Sequence, residues 1–246
     1  MPENVLDVRD VTKVFERKGQ PSLRAVDGVS FSVGRGECVG LVGGSGCGKT
    51  TIARLVTRLI EPTSGSIALN GRDIHESADG VQMVFQNPAA SFDPRRTLGQ
   101  GAAEALINAG MPKPEARKQV VALFERCGLP ADFVGRYAYE VSGGQCQRAA
   151  IARALAPDPS LIVLDEATSA LDVTVQAQIV SLLRDVRAQR ACAFLFICHD
   201  LALVQGFCDR VLVMWQGRIV EEGPTAEVIA SPKHPYTREL IEAAFV

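Results

Sequence analysis

Glu37-Cys-Val-Gly-Leu-Val-Gly-Gly-Ser-Gly-Cys-Gly-Lys-Thr50 is the stretch on which the fold turns. It opens as a short apolar strand and runs into a glycine-rich loop, Gly43-Gly-Ser-Gly-Cys-Gly-Lys-Thr50, that matches GxxxxGK[ST]. Residues 49–60 then carry a helical pattern stopped by Pro62. Strand, loop and helix in that order form a cradle for a polyphosphate. Glycines let several backbone N–H groups turn toward one point, and the helix N-terminus adds its positive end. Lys49 supplies a point charge for β- and γ-phosphates, and the Thr50 hydroxyl can ligate Mg²⁺. The GxGxxG of a dinucleotide fold is absent, because no glycine closes it after Gly44 or Gly46. By itself the loop specifies an NTPase or a kinase and no more.

Outward from the loop, strand and helix signals alternate. Mixed apolar and polar residues at 5–14 and 29–33 predict half-buried strands, as do the short runs at 67–69 and 81–85. Strands are also predicted at 161–164, 193–198 and 210–215, the last followed by a turn at Gln216-Gly217 and a further strand at 218–221. A helix is predicted at 173–189 between the first two of these. This alternation argues for a mainly parallel sheet covered on both faces. The section 87–155 differs: it holds Pro88, Pro94, Pro112 and Pro114, two helices at about 97–109 and 113–127, and little strand signal. It reads as a helical insertion into an α/β core, with Gly128 capping its second helix.

A second constellation lies at a strand end. Leu161-Ile-Val-Leu164 is followed by Asp165-Glu166, which sets two carboxylates at the carboxyl end of a buried strand, where α/β folds bind ligands. Asp165 is suited to hold Mg²⁺ through water, and Glu166 to polarise an attacking water.

Composition excludes several classes. The chain has 246 residues, 47% of them hydrophobic, which suffices for a sizeable core. Lys plus Arg number 26 against 28 Asp plus Glu, so the net charge of -2 gives no reason to propose nucleic acid as ligand. The seven cysteines are odd in number and scattered without a CxxC pair, which reads as reduced thiols rather than a disulfide framework or a zinc site. No run approaches the roughly 18 apolar residues that span a bilayer. The N-terminus lacks the pattern of a secretion signal, so a soluble, intracellular protein is expected.

Val141-Ser-Gly-Gly-Gln-Cys-Gln-Arg148 resembles the signature sequence of the ABC ATPases, usually LSGGQ, ahead of a helix rich in Ala and Arg. A Ser-Gly-Gly helix start is itself a set of N–H groups able to hold a γ-phosphate. The remaining motifs follow in the family's order. Gln86, in Val84-Phe-Gln-Asn-Pro88, occupies the Q-loop position that faces Mg²⁺ and leads into the helical insertion. Ser169-Ala-Leu-Asp172 is like the D-loop, and His199, after Phe194-Leu-Phe-Ile-Cys198, is like the switch histidine that contacts the γ-phosphate. Phe15 stands where an aromatic residue stacks on adenine, although a core aromatic fits the sequence nearly as well. His75 and His234 are left as surface or packing residues.

The resemblance covers essentially the whole chain, and what it implies is specific. The fold would be an α/β P-loop NTPase core with a mainly parallel sheet, an N-terminal antiparallel β subdomain and an inserted α-helical subdomain, together one cassette over 1–246. ATP and Mg²⁺ would be the cofactors. Gly43, Gly44, Ser45, Gly46, Cys47, Gly48, Lys49, Thr50 and Thr51 would bind nucleotide, with Phe15 and, from across a dimer, Ser142, Gly143, Gly144 and Gln145. Thr50, Gln86 and Asp165 would attend the metal, and Glu166, His199, Gln86 and Lys49 the hydrolysis. Partners would be integral-membrane permease subunits, a second ATPase subunit packed head to tail (a copy or a paralogue), and indirectly an extracytoplasmic solute-binding protein. The place would be the cytoplasmic face of the cell membrane.

Two stretches are similar to one branch, the oligopeptide, dipeptide and nickel importer ATPases: Gln82-Met-Val-Phe-Gln-Asn-Pro-Ala-Ala-Ser-Phe-Asp-Pro-Arg95, and the tail containing Gly223-Pro-Thr-Ala-Glu and His234-Pro-Tyr-Thr-Arg-Glu-Leu240. Gly44 stands where Glu is frequent, Val141 replaces Leu, and Cys146 replaces Gln. The end at Val246, soon after the HPYT stretch, leans toward a shorter, nickel-like subunit. A soluble ABC ATPase of DNA repair is disfavoured because only about ninety residues, with no heptad run, separate Lys49 from Ser142. A translation-type protein usually carries two such cassettes in one chain. A binder without turnover is disfavoured by the presence of Glu166 and His199.

Overall fold

The computed structural model describes residues 4–17, 19–76, 80–167 and 172–245. The chain opens with β1 (Asn4–Arg17) and β2 (Gln20–Gly34), then β3 (Cys38–Val42), α1 (Lys49–Val56), β4 (Ser64–Leu69), β5 (Arg72–Asp73) and β6 (Val81–Val84). Three helices follow: α2 (Leu98–Asn108), α3 (Lys113–Arg126) and α4 (Gly143–Leu155). The chain continues with β7 (Leu161–Asp165), α5 (Val173–Arg190), β8 (Ala193–Ile197) and α6 (Leu201–Phe207). It finishes with β9 (Arg210–Trp215), β10 (Arg218–Pro224), α7 (Thr225–Ala230) and α8 (Pro235–Phe245).

Two sheets result. One is antiparallel in the order β2-β1-β4-β5; the other has the order β10-β9-β3-β8-β7-β6. In the second, β6, β7, β8, β3 and β9 pair in parallel, and β10 adds an antiparallel edge. The expected mainly parallel sheet and antiparallel N-terminal sheet are therefore both present. Every residue of β3, β7 and β8 is buried, which is why these strands read as continuous apolar runs rather than alternations. One apolar cluster fills the space between the antiparallel sheet, α1 and one face of the parallel sheet; another joins the opposite face to α2–α6.

Between β6 and β7, strands that pair directly with each other, the described chain contains helices and loops and no strand. Thr97 caps α2 in a reciprocal capping box with Gln100, which explains a helix start where the sequence placed one. Gly128 takes φ 71 after α3 and its N–H donates to the Glu125 carbonyl, as a C-terminal glycine should.

The structure differs from the sequence expectation in three respects. The helix predicted over 49–60 ends at Val56, because the Thr57 hydroxyl bonds back to the Ala53 carbonyl at 2.7 Å and Arg58 turns left-handed at φ 57. Strands β1 and β2 run well past the predicted 5–14 and 29–33, since residues 21–24 near their hairpin tip are all exposed and show no apolar face. Helices α6, α7 and α8 have no counterpart in the prediction; α6 and α7, at seven and six residues, are too short to display a period.

Candidate nucleotide site

Four neighbouring parallel strands deliver the predicted residues to one edge of the sheet. The phosphate loop leaves the carboxyl end of β3, His199 follows β8, Asp165 and Glu166 end β7, and Gln86 follows β6. In chain order these motifs are scattered; in the sheet order β3-β8-β7-β6 they are adjacent. The strand ends are tied together by backbone bonds, Glu166 N–H to the Ile197 carbonyl at 2.9 Å and Cys198 N–H to the Leu41 carbonyl at 3.4 Å.

The loop's glycines are needed by its surroundings. Gly43 sits at φ 152, and a Cβ there would lie 2.2 Å from the Met214 carbonyl oxygen; at Gly48, φ 112, it would lie 2.3 Å from that of Ala25. Helix α1 starts at Lys49 with no side-chain cap, so its first N–H groups remain for a ligand. Ser45, Gly46 and Thr50 are exposed, Gly44 and Thr51 half-buried, and Cys47 buried. Lys49 is 6% exposed, and its ammonium donates to the Gly43 and Gly44 carbonyls at 2.8 and 2.9 Å. The lysine thus rests across its own loop.

Asp165 is buried, and the Thr50 hydroxyl donates to its Oδ1 at 3.3 Å. Burial pushes the Asp165 carboxyl above the usual range; the Thr50 hydrogen bond opposes this and the charge of Glu166 adds to it. A desolvated carboxylate beside a hydroxyl is a donor set for a hard cation. Among the described residues, no group of three or more His, Cys, Asp or Glu side chains could hold a metal alone. Hard oxygen donors such as these two are of the kind Mg²⁺ takes together with water and phosphate oxygens. Arg54 adds a positive charge near the Asp165 carboxyl.

Glu166 occupies a left-handed backbone position, φ 49, costly for a residue with a Cβ and frequent at functional sites. Gln86 Nε2 donates to Glu166 Oε2 at 2.7 Å, bringing the Q-loop and the strand end together. Beside them lies a cleft of about 290 Å³ lined by Thr50, Arg54, Phe85, Gln86, Ser91 and Asp165, among others. His199 is exposed at the same edge; burial pushes the preceding Cys198 thiol up to about 11, which makes it inert. All seven cysteines are free and buried.

Two predicted groups stand elsewhere. Ser142 caps α4, its Oγ accepting from Gln145 N–H at 3.3 Å while Gln145 Oε1 accepts from Ser142 N–H at 2.9 Å. Ser142 and Gly143 are exposed, and none of residues 142–145 lines the cleft at Thr50 and Asp165. Phe15 lies on β1, half-buried and outside both apolar clusters, with the Lys13 ammonium 5.2 Å from its ring centre. The core-aromatic alternative for it therefore fails. The D-loop reading falls mostly on 168–171, outside the described residues; Asp172 caps α5 through the Val175 N–H.

Sequence reasoning missed the supports of the loop. The Gly217 N–H donates to the Cys47 carbonyl at 3.0 Å, and the Tyr236 hydroxyl accepts from the Gly44 N–H at 2.6 Å. Of His75 and His234, the first is exposed near Glu61 and the second packs beside Trp215.

A phosphate loop, a buried carboxylate paired with the loop's hydroxyl, and a carboxylate–amide pair at one edge of a parallel sheet define a nucleoside triphosphatase. The comparisons make the class particular. A family model described as ABC transporter matches residues 26–169. A putative peptide import ATP-binding protein of Brucella ovis is 46% identical over 248 residues, spanning 97% of this chain and 78% of the relative. The di/tripeptide transport ATP-binding protein DppF of Pseudomonas aeruginosa is 43% identical over 255 residues, spanning 98% and 79%. Among solved structures, the dimeric post-hydrolysis state of the ATP-binding cassette MJ0796 bound to ADP and Pi aligns with a TM-score of 0.83 at 27% identity, covering 89% of this chain and 98% of that one. This chain belongs to the ABC transporter family and is an ATPase of it.

Proposed function

We propose that this chain is the motor subunit of a peptide importer, which binds MgATP at the carboxyl edge of its parallel sheet and hydrolyses it in a head-to-tail dimer. The observation that carries the reading is the adjacency of the phosphate loop, His199, Asp165-Glu166 and Gln86 on four neighbouring strands. Lys49 leaves the Gly43 and Gly44 carbonyls for the β- and γ-phosphates, and the N–H groups of 45–50 cradle them. Thr50 Oγ1 and the Asp165 carboxylate would hold Mg²⁺, with Gln86 near the same place. Bound there, the metal would neutralise charge that builds on the phosphate oxygens. Glu166 takes the proton of the water that attacks the γ-phosphorus as its bond to the β–γ bridging oxygen breaks and ADP leaves; Gln86 fixes the orientation of the Glu166 carboxylate, and His199 contacts the γ-phosphate. Phe15, on the surface of the antiparallel sheet, stacks on adenine.

The capping box at 142–145, exposed at Ser142 and Gly143, lies outside the cleft at Thr50 and Asp165, which supports a site completed by another subunit's signature. The helical segment 87–155 carries that signature as a subdomain, and the Q-loop connects it to the catalytic edge. No helix among the described residues is long and apolar enough to cross a membrane, so transport requires a separate permease, with this subunit peripheral on its cytoplasmic side. Peptide is favoured over nickel because the relatives are named for peptide or di/tripeptide import. A solute-binding protein would act only through the permease.

The test is Glu166→Gln in the purified subunit. Turnover should fall about 10²–10⁴-fold while MgATP binding persists. Hydrolysis at the wild-type rate would remove Glu166 from the proton-accepting role.

A further inference from the structure

The C-terminal segment that carries the importer-branch resemblance reaches the phosphate loop. Glu221, on β10, accepts the Lys233 and His234 N–H groups at 2.8 and 2.9 Å and so pins the segment's start. His234 Nδ1 accepts the Tyr236 N–H at 3.2 Å. Trp215, at the end of β9, stacks on the Tyr236 ring with centroids 5.7 Å apart and planes inclined by 28°, and flanks His234 at 6.0 Å. The Tyr236 hydroxyl, held by these contacts, accepts the Gly44 N–H at 2.6 Å.

That N–H and the Gly43 carbonyl belong to one planar peptide group, and Lys49 donates to the Gly43 carbonyl at 2.8 Å. One peptide therefore carries Tyr236 on one side and the P-loop ammonium on the other. When Lys49 turns to a nucleotide, the Gly43 carbonyl loses its donor. With no Cβ on either neighbour such a peptide can rotate, and a flip would exchange the directions of its two groups, turning the Gly43 carbonyl toward Tyr236 and away from its place beside the ammonium. The hydrogen bond to Tyr236 opposes the flip. A Cβ at residue 44 would lie 3.1 Å from the Tyr236 oxygen, so Gly44 also fits this close approach.

We propose that Tyr236 is a positioning residue of the ATP site, its hydroxyl fixing the Gly43-Gly44 peptide while Lys49 moves between the loop carbonyls and the phosphates. The inference rests on the reading of 43–50 as the phosphate loop. Trp215 is the chain's single tryptophan and stacks on Tyr236, so its fluorescence follows this junction in the full chain. Tyr236→Phe keeps the ring and removes the acceptor. In it the half-saturating MgATP concentration, by calorimetry, should rise about 3- to 10-fold, the value of one hydrogen bond. The turnover number at saturating MgATP should stay within about twofold, and the Trp215 response to nucleotide should shrink. His234→Ala, which frees the Tyr236 N–H, should shift affinity in the same direction by less, and it keeps the test open if the first variant folds poorly. Wild-type affinity in both folded variants would overturn the proposal. Wild-type affinity in Lys49→Ala would instead overturn the phosphate-loop reading beneath it.

Discussion

Two helices in this chain begin at glycine-containing turns suited to phosphate, and they are finished in opposite ways. Helix α1 starts after Gly48 with no side-chain cap, inside a loop pressed against the Met214 and Ala25 carbonyls and crossed by Lys49. Helix α4 starts at an exposed Ser142 whose side chain and that of Gln145 satisfy each other's backbone N–H groups. The first is a cradle assembled by the rest of the molecule and left with open donors. The second is an exposed first turn whose cap is closed by its own two side chains, on a helix otherwise largely buried in the core. In the composite site proposed above, the difference would separate the two halves: one is shaped by the fold, the other is presented by it.

The contrast can be broken first at Lys49. Replacing it with Ala removes the buried charge of the cradle, and MgATP affinity should fall on the order of 100-fold, measured by calorimetry. A loss of less than about threefold would mean that the loop holds phosphate without its lysine.

A smaller effect sharpens the cradle's electrostatics. Because burial raises the Asp165 pKa in the folded chain, its ionised form is disfavoured by folding. Asp165 therefore contributes stability at low pH that is lost as pH rises through its folded pKa. Without nucleotide and metal, Asp165→Asn should melt a few degrees above wild type near pH 7, and the gap should close as pH drops below about 4. With MgATP the order should reverse, since wild type alone gains ligand stabilisation through the metal. A variant less stable than wild type without ligand would show that Asp165 supports the fold by its charge.

The legible parts of this chain were those whose chemistry is local. A glycine loop with its Lys49, an apolar strand ending in Asp165-Glu166, and a Ser-Gly-Gly helix start each announce themselves within eight residues. Fully buried parallel strands left continuous apolar runs, so the sheet class could be read as well. The hairpin tip between β1 and β2 could not, since its exposed residues carry no alternation. Nor could α6 or α7, although Asp200 does cap α6 through the Ala202 and Leu203 N–H groups. The contact between Tyr236 and Gly44 spans 192 positions, and no spacing rule connects them. Their meeting depends on β9 lying beside β3, a relation that emerges only when the sheet is assembled.

The open question between the two helix starts is whether α4 serves the ATP bound at another subunit's loop. Ser142→Arg places a bulky cation in the exposed turn without touching 43–50. Mixed with Lys49→Ala subunits, Ser142→Arg subunits give dimers in which each defect can be assigned to a site. A composite site predicts that both defects fall on the same interface: the Lys49→Ala loop faces the Ser142→Arg signature, and the other site stays intact. Measured as site-resolved ATP hydrolysis in such mixed dimers, one competent site should remain. Two failed sites would place each signature over its own loop and contradict the division of labour between α1 and α4.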